Sequence, residues 1–487
     1  MAGGDREENF DVVVVGGGPS GSTTAALVAR QGHRVLLLER DHHPRYQIGE
    51  SLLPATVHGV CRILGVADEL ADAGFPRKRG GTFKWGASPE PWDFSFALSP
   101  RMAGPTSYAY QVERARFDEI LLRNAAAEGA EVREGCAVRR VLTEGDRVVG
   151  VEYTDPGGAD VVVRARHTID ASGNTSRLHR EVGGPRQYSP HFRNIAVFGY
   201  FAGGRRLPSP NSGNIFSVAF DEGWIWYIPL RDDLTSVGVV LAADRAGDVQ
   251  ADPERGWLAA IDRCPIVAEM LAGTPRATEA PYDRIRVRKD YSYDKEAFWR
   301  PGMALVGDAA CFIDPVFSSG VHLATYSGLL AARSLNSALA GDLPEDLAFG
   351  EFEARYRREF GLFHEFLVAF YDLHQERDSY FWNAKRITGA QASESEAFVE
   401  LVGGIASGDS GVRVPAGGLA EAVAAAADGG EDANPLLRAK VVSASLQEGA
   451  QLQALAELGE DSGPQTPLFQ GGLVPSADGL RWARPAG

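Results

Sequence analysis

The sequence predicts an α/β fold: a parallel, nucleotide-binding sheet, interrupted by an antiparallel sheet and followed by a helical region. Three observations carry this. A β-branched run, Phe10 to Val15, leads into a glycine-rich turn and a helix. Short alternating runs, at Asn194 to Phe201, Asn214 to Phe220, Gly223 to Leu230 and Thr235 to Leu241, cluster between residues 185 and 280. Residues 346 to 402 then carry aromatic side chains at helical spacing, among them Phe349, Phe352, Tyr356, Phe360, Phe363 and Phe366. Buried parallel strands read as continuous apolar runs, half-buried antiparallel strands as alternation, and amphipathic helices as a 3.6-residue stripe. The aromatic stripe is read as core packing.

The first unit is the most informative. Gly16-Gly17-Gly18-Pro19-Ser20-Gly21 joins the first strand to a helix beginning near Ser22, and Arg34 to Glu39 forms the second strand. Gly16 permits the tight turn, Gly18 allows backbone to approach a pyrophosphate, and Gly21 allows close packing of helix on strand. Glu39, eighteen residues beyond Gly21, can accept hydrogen bonds from a ribose. A glycine fingerprint alone is weak evidence. Between strand and helix, with the acid in place, it predicts dinucleotide binding. Ser20 lies in the same turn.

Composition limits the remaining choices. The chain has 487 residues, more than one core usually serves, so two or three structural units are expected. Acids outnumber bases by 65 to 49, a net charge of −16, which argues against a general nucleic-acid binder. No apolar run is long enough to span a bilayer, and the polar, acidic N-terminus is unlike a signal peptide, so a cytoplasmic protein without a membrane role is expected. Cys61, Cys136, Cys264 and Cys311 are isolated, which suits buried free thiols and offers no disulfide framework or metal site. Lysine is rare, so a lysine in a special place carries more weight than usual.

Further strings bear on the chemistry. Pro301 to Ala310 reads as a strand ending in Gly307-Asp308; Arg166 to Gly173 is another strand, and Gln111 to Asp118 opens a helix carrying Arg114. Together with the glycine turn these resemble the FAD-binding domain of group A flavoprotein monooxygenases, a Rossmann-like domain of the GR2, p-hydroxybenzoate hydroxylase-like type. The resemblance implies FAD contacts for Gly16, Gly18, Ser20 and Gly21. It gives the adenosine ribose to Glu39, the ribityl chain to Asp308 and the dinucleotide face to Arg114. Only one dinucleotide fingerprint is present, so no second nicotinamide-binding domain is expected.

Three features resemble flavin-dependent halogenases within that superfamily. Gly223-Trp224-Ile225-Trp226-Tyr227-Ile228-Pro229 matches their WxWxIP signature. Alternation puts Trp224 and Trp226 side by side on one strand face with Ile228 continuing the row. A tryptophan pair of this spacing is ordinarily core; here the resemblance implies a wall of Trp224, Trp226, Ile228 and Pro229 beside the flavin. Phe75 to Gly86 resembles the segment bearing the family's reactive lysine, which maps to Lys78, whereas Lys84 suits a solvated loop. An ammonium at Lys78 can hydrogen-bond hypohalous acid; a neutral amine can take the halogen as a chloramine. The sequence leaves both routes open. Asp314 to His322 resembles the chloride loop, with chloride at Ser318, Ser319 and Gly320, held by the amides of the last two. Pro44 to Pro54 resembles the loop along the flavin, with Arg45 and Glu50 as flavin neighbours or turn residues.

The resemblance spans roughly residues 10 to 400. Tryptophan halogenases carry a glutamate where Phe317 stands, which points to the branch acting on phenols and pyrroles, closest to the tyrosyl halogenases of glycopeptide-antibiotic (balhimycin and vancomycin-type) pathways. It implies an FADH2-dependent halogenase that draws reduced flavin from a separate reductase. The flavin hydroperoxide, formed with O2, would convert chloride to hypochlorous acid, which would pass the tryptophan wall to Lys78. The substrate would be a tyrosyl or β-hydroxytyrosyl ring on a peptidyl carrier protein of nonribosomal peptide synthesis. Glu50 and His322 are candidate bases, neither singled out. Arg284, Arg286 and Arg288 alternate and offer a carrier-docking face. The alternative is an FAD-dependent aromatic hydroxylase on the same scaffold. Residues 1–74, 108–184 and 281–345 are expected to form a discontinuous FAD domain. Residues 75–107 and 185–280 form the antiparallel-sheet domain. Residues 346–487 form a mostly helical C-terminal region, with the tail from Gly403 a candidate lid.

Overall fold

Two sheets of different character build the chain. The computed structural model describes residues 8–242, 246–289, 291–408 and 467–485. The first sheet has eight strands, with Glu8–Val15 at its centre. Val35–Leu38 and Asp160–Asp170 flank that strand in parallel, and Met303–Leu305 pairs in parallel with Asp160–Asp170. Val12, Val13 and Val14 are fully buried, as expected for a strand covered on both faces.

The helix Pro19–Ala29 leaves the glycine turn, and the helix Ser319–Ala340 lies against it. Their contact is close because Gly328 has no side chain: a Cβ there would stand 2.6 Å from the Ser20 carbonyl oxygen. Thr24 Oγ1 donates to the Gly328 carbonyl at 3.2 Å. Chain segments some three hundred residues apart are thereby brought to one end of the sheet.

The second sheet has seven strands, ordered Arg286–Lys289, Asn194–Phe201, Leu234–Ala242, Gly223–Arg231, Ile215–Phe220, Gly80–Lys84 and Trp92–Ser95. Alternation along its strands divides two cores. Trp224, Trp226 and Ile228 belong to the large core shared with the first sheet. Ile225 and Tyr227 face a smaller core beneath the helix Pro253–Asp262. One expected boundary moves: Arg286–Lys289 pairs with Asn194–Phe201, so the chain returns to the first sheet only after residue 289.

Three helices follow, Glu345–Phe370, Arg377–Thr388 and Glu394–Val402. The aromatic stripe of the first is buried; Phe352, Tyr356, Phe366 and Phe370 have no exposed surface. The expected lid falls largely on residues 409–466, outside the described residues. Beyond them, Val474–Pro475 and Trp482–Ala483 pair as a small hairpin. It docks on the helix Ser319–Ala340, where Trp482 Nε1 donates to Ser334 Oγ at 2.9 Å. That point lies about 22 Å along the helix from its first turn, at 1.5 Å per residue. The hairpin therefore braces the helix far from its N-terminus. Among the described residues, no helix is long and apolar enough to cross a membrane.

Candidate active site

A cavity of ≈ 630 Å³ opens between the two sheets. The glycine turn, Glu39, the 45–51 loop, Arg114, Asp308 and the start of the helix Ser319–Ala340 contribute to its lining. Gly16, at φ +107°, makes the turn; a Cβ there would lie 2.5 Å from the Ala171 carbonyl oxygen. Gly21 packs against Gly16 and does not line the cavity. Gly18 does, and a Cβ there would meet only the Arg45 guanidinium. The Glu39 carboxylate is held by two backbone amides, Gly17 at 2.6 Å and Asp41 at 2.8 Å, and still borders the cavity.

Arg45 and Arg114 share one buried acid. Arg45 Nη1 reaches Asp118 Oδ2 at 2.9 Å, and Arg114 Nε reaches Asp118 Oδ1 at 2.8 Å. Arg114 also donates to the Ile48 carbonyl at 2.5 Å, tying the 45–51 loop to its helix. Burial pushes the Asp308 carboxyl up to about 6, against the pull of Arg114 and Arg186. Ser51 Oγ is buried without a hydrogen-bond partner beside the same cavity. Buried polar atoms ordinarily have partners, so this one fits a polar ligand. The glycine turn, the Glu39 carboxylate and this free hydroxyl suit a flavin dinucleotide.

The tryptophans belong to the wall of the cavity. Trp224, Trp226 and Ile228 line it; Pro229 points to the other face of its strand and does not. The two indoles are neighbours, 6.0 Å between centroids, but tilted by 52° rather than stacked. Gly238 explains the tilt. It lies across from Trp226 in the next strand, and a Cβ there would come within 2.1 Å of the indole. Each indole N–H is satisfied: Trp224 by Tyr371 Oη at 2.7 Å, Trp226 by Ser236 Oγ at 3.2 Å.

Lys78 is 2% exposed and is not part of the cavity lining. It sits on a two-residue strand, Arg77–Lys78, whose alternation turns Arg77 outward over Tyr108 and Lys78 inward. Its Nζ donates to the Leu52 carbonyl at 3.0 Å and to Ser318 Oγ at 3.4 Å, and lies 5.8 Å from the centre of the Phe96 ring. Burial alone lowers its pKa to about 7. Lys84, by contrast, is half-buried on strand Gly80–Lys84 and donates to the Ser88 carbonyl at 2.7 Å.

Ser318 connects the two places, because it lines the cavity and touches Lys78. It holds φ +60°, unusual for a residue with a side chain, at the junction of a short 3-10 turn and the long helix. Its own amide is used in the turn, donating to Pro315 O at 2.9 Å. Ser319 and Gly320 head the helix, whose first amides have no intrahelical acceptor. Gly320 lines the cavity and Ser319 does not. Phe317 is buried against Phe366 and Phe370, at 5.0 and 4.7 Å between centroids.

The interactions of two further residues carried no sequence signal. Asp314 caps the turn before Ser318, accepting from Val316 N at 3.1 Å, and also accepts from Asn194 Nδ2 at 3.2 Å. Tyr371, read as core, anchors Trp224 and bonds Asp314. The candidate bases fall in different places. Glu50 lines the cavity, while His322 is buried against Glu359 at 2.7 Å. The expected arginine face is also revised. Arg286 lies 3.5 Å over the Tyr46 ring and Arg288 lines the cavity, leaving only Arg284 fully exposed.

The chain has counterparts among known proteins. The tryptophan halogenase family model matches residues 11–103 and 97–414. The chain belongs to that family. It is 34% identical over 405 residues to a tryptophan 2-halogenase of Chondromyces crocatus, covering 81% of this chain and 75% of the relative. It is 36% identical to a flavin-dependent halogenase of Penicillium aethiopicum, covering 69% and 66%. Among solved structures, the myxobacterial chondrochloren halogenase aligns at 50% identity with a TM-score of 0.76, covering 98% of this chain and all of that one. The halogenase is thus an FAD-dependent oxidoreductase acting on aromatic substrates with chloride and O2, and such enzymes generally take reduced flavin from a separate reductase. Family membership decides for halogenation over hydroxylation. The relatives bear tryptophan and fungal halogenase names rather than glycopeptide-pathway ones, so membership holds at the level of the family.

Proposed function

We propose that this halogenase chlorinates an electron-rich phenolic ring, of tyrosyl or β-hydroxytyrosyl type, presented by a peptidyl carrier protein in antibiotic biosynthesis of the glycopeptide kind. The observation that carries the reading is the surroundings of Lys78 and Phe317. Lys78 has a carbonyl and a hydroxyl as its hydrogen-bond partners, and Phe317, where tryptophan-acting members carry glutamate, is packed among phenylalanines. A phenol brings its own activating oxygen, so it asks less of the electrophile than an indole position does. Four free, buried cysteines suit a cytoplasmic setting.

Bound as FADH2, the flavin would supply two electrons that activate O2, and the activated oxygen would take two more from chloride to give hypochlorous acid. Gly16, Gly18, Ser20, Glu39, Arg45, Arg114 and Asp308 hold the dinucleotide, with Gly21 setting the turn beneath it. Ser318, Ser319 and Gly320 hold chloride. Trp224, Trp226 and Ile228 keep the arene from the oxidant's source, and Pro229 stiffens their strand from behind. Lys78 receives the oxidised halogen. As an ammonium it donates a hydrogen bond to hypochlorous acid; as an amine it exchanges N–H for N–Cl and releases water. A pKa near 7 populates both forms at neutral pH.

One relative's name, tryptophan 2-halogenase, favours an indole as second reading. The test is a direct competition. The enzyme, FAD, a flavin reductase and chloride are given tyrosyl carrier protein, free tyrosine and free tryptophan, and products are read by mass spectrometry. Chlorine on the tethered phenol supports the proposal. Chlorotryptophan with an untouched phenol overturns it.

A further inference from the structure

Halide oxidation places a proton demand on the flavin cavity. With neutral reduced flavin the balance is FADH2 + O2 + Cl⁻ + H⁺ → FAD + HOCl + H2O. Four electrons reach oxygen, two from the flavin and two from chloride, and one proton is consumed. The arene cannot return that proton directly. Its own proton leaves as ArH + HOCl → ArCl + H2O, beyond the tryptophan wall. Trp224, Trp226 and Phe198 line part of the cavity and carry no titratable proton. A proton donor on the polar part of the wall, and a path to it, are needed.

One carboxyl on the cavity wall has such a path. Glu50 is 3% exposed and lines the cavity. Tyr200 Oη donates to Glu50 Oε1 at 2.7 Å, and Tyr46 Oη lies 2.6 Å from Tyr200 Oη. Tyr46 is half-buried beneath Arg286 and itself borders the cavity, so it is the partly exposed member of the row. Ser236 also hydrogen-bonds this carboxyl. Around this carboxyl stand Ser236, which also accepts from the Trp226 indole, and two cations, Arg114 and Arg286. Tyr282 packs on Tyr200 at 4.7 Å and binds Glu113. Burial outweighs the cations and pushes Glu50 up to about 7, so it exists in both protonation states near neutrality. Of the other raised carboxyls, Asp308 also borders the cavity, but the Tyr293 hydroxyl donates to its backbone carbonyl rather than to its carboxyl, and Asp314 is off the cavity and held by Asn194 and the Val316 amide.

We propose that Glu50 delivers the proton consumed in halide oxidation to the flavin cavity, and that Tyr200 and Tyr46 reprotonate it from solvent. Glu50 releases its proton on the cavity side. Tyr200 then passes its hydroxyl proton to Oε1 and takes the Tyr46 proton in exchange, and Tyr46 is restored by water. A row of hydroxyls moves protons along hydrogen bonds that are already formed. The inference rests on halide oxidation, a property of the family, and not on the identity of the arene, so its failure is separable from failure of the phenol assignment.

The test uses the full chain without arene. In wild type, E50Q, Y200F and Y46F, FAD titration first reports an intact site. Infrared titration of the apoprotein then seeks a protonated-carboxyl band that disappears in E50Q and shifts in Y200F. Single-turnover reoxidation of bound reduced flavin with chloride is followed in H2O and D2O. The proposal expects that band to titrate near neutral pH. It expects E50Q to slow reoxidation at least tenfold and remove its pH break, and Y200F and Y46F to slow it with a smaller D2O effect. Should E50Q not fold, Y200F and Y46F carry the kinetic test. Wild-type rates and D2O effects in variants that bind FAD, or a carboxyl band absent above pH 6, would overturn it.

Discussion

Lys78 Nζ and Ser318 Oγ lie 3.4 Å apart, and of the two only Ser318 lines the flavin cavity. The contact joins the cavity wall to the buried amine. The left-handed backbone at Ser318 is what aims this hydroxyl, since a helical residue there would continue the helix instead. Replacing Ser318 with Ala keeps the backbone but removes an acceptor from the ammonium. Arene halogenation is expected to fall about tenfold, near 1.4 kcal/mol in the barrier, with FAD affinity retained. The pH at which halogenation changes is expected to move down, because the charged amine loses a partner. A steady-state pH profile of the variant checks both.

Lys78 also leaves a mark on stability. Its folded pKa is about 7, against about 10.4 when unfolded. Below pH 7 both states carry the charge, and the folded state bears the full cost of burying it. Between about 7 and 10.4 the unfolded chain binds the extra proton, so stability rises with pH. Above that range both are neutral. Replacing Lys78 with Met is therefore expected to stabilise the fold by about 4–5 kcal/mol at or below pH 7. The gain should shrink toward pH 10.4. Urea unfolding of both proteins from pH 6 to 10 reads the difference; a gap independent of pH would contradict a buried, titrating amine.

Gly238 sets the wall. A Cβ there would fall within 2.1 Å of the Trp226 ring, while backbone pairing on both sides fixes the strand. Gly238→Ala should cost about 1–3 kcal/mol through overpacking. It should also displace Trp226 and lower the fraction of flavin oxidation events that end in halogenated arene. Tryptophan fluorescence together with product yield per flavin oxidised reports this.

Glu39 is expected to matter for cofactor affinity alone. Its carboxylate is fixed by the Gly17 and Asp41 amides and borders the cavity. Glu39→Ala removes a charged acceptor worth about 1.5–3 kcal/mol. FAD should bind roughly ten- to hundredfold more weakly, with halogenation recovering at saturating FAD. Fluorescence titration of FAD measures it.

Much of this arrangement was legible in the sequence, for reasons that differ by residue. The glycine turn and Glu39 are local, with geometry imposed on a few consecutive residues, and they fall where expected. Trp224 and Trp226 share a face because alternation dictates it. That same alternation puts Pro229 behind the strand, which the family signature obscures. The indole tilt was not legible, because it depends on Gly238 in a neighbouring strand. Arg286 and Arg288 alternate as a surface pair would, but Tyr46 and the cavity lie over that face. Tyr371 meets Trp224 and Asp314 only through the packing of a helix that ends more than fifty residues beyond the chloride loop, and no short-range pattern records such a meeting.

The account turns on division of labour: oxidation on the cavity side of the wall, carbon chemistry at Lys78. The most direct measurement is Lys78→Ala supplied with reduced FAD, O2 and chloride, with flavin oxidation and arene halogenation followed in one sample. The account predicts that FAD binds and flavin oxidation persists while chlorinated arene disappears. Chlorination at the wild-type rate would contradict it.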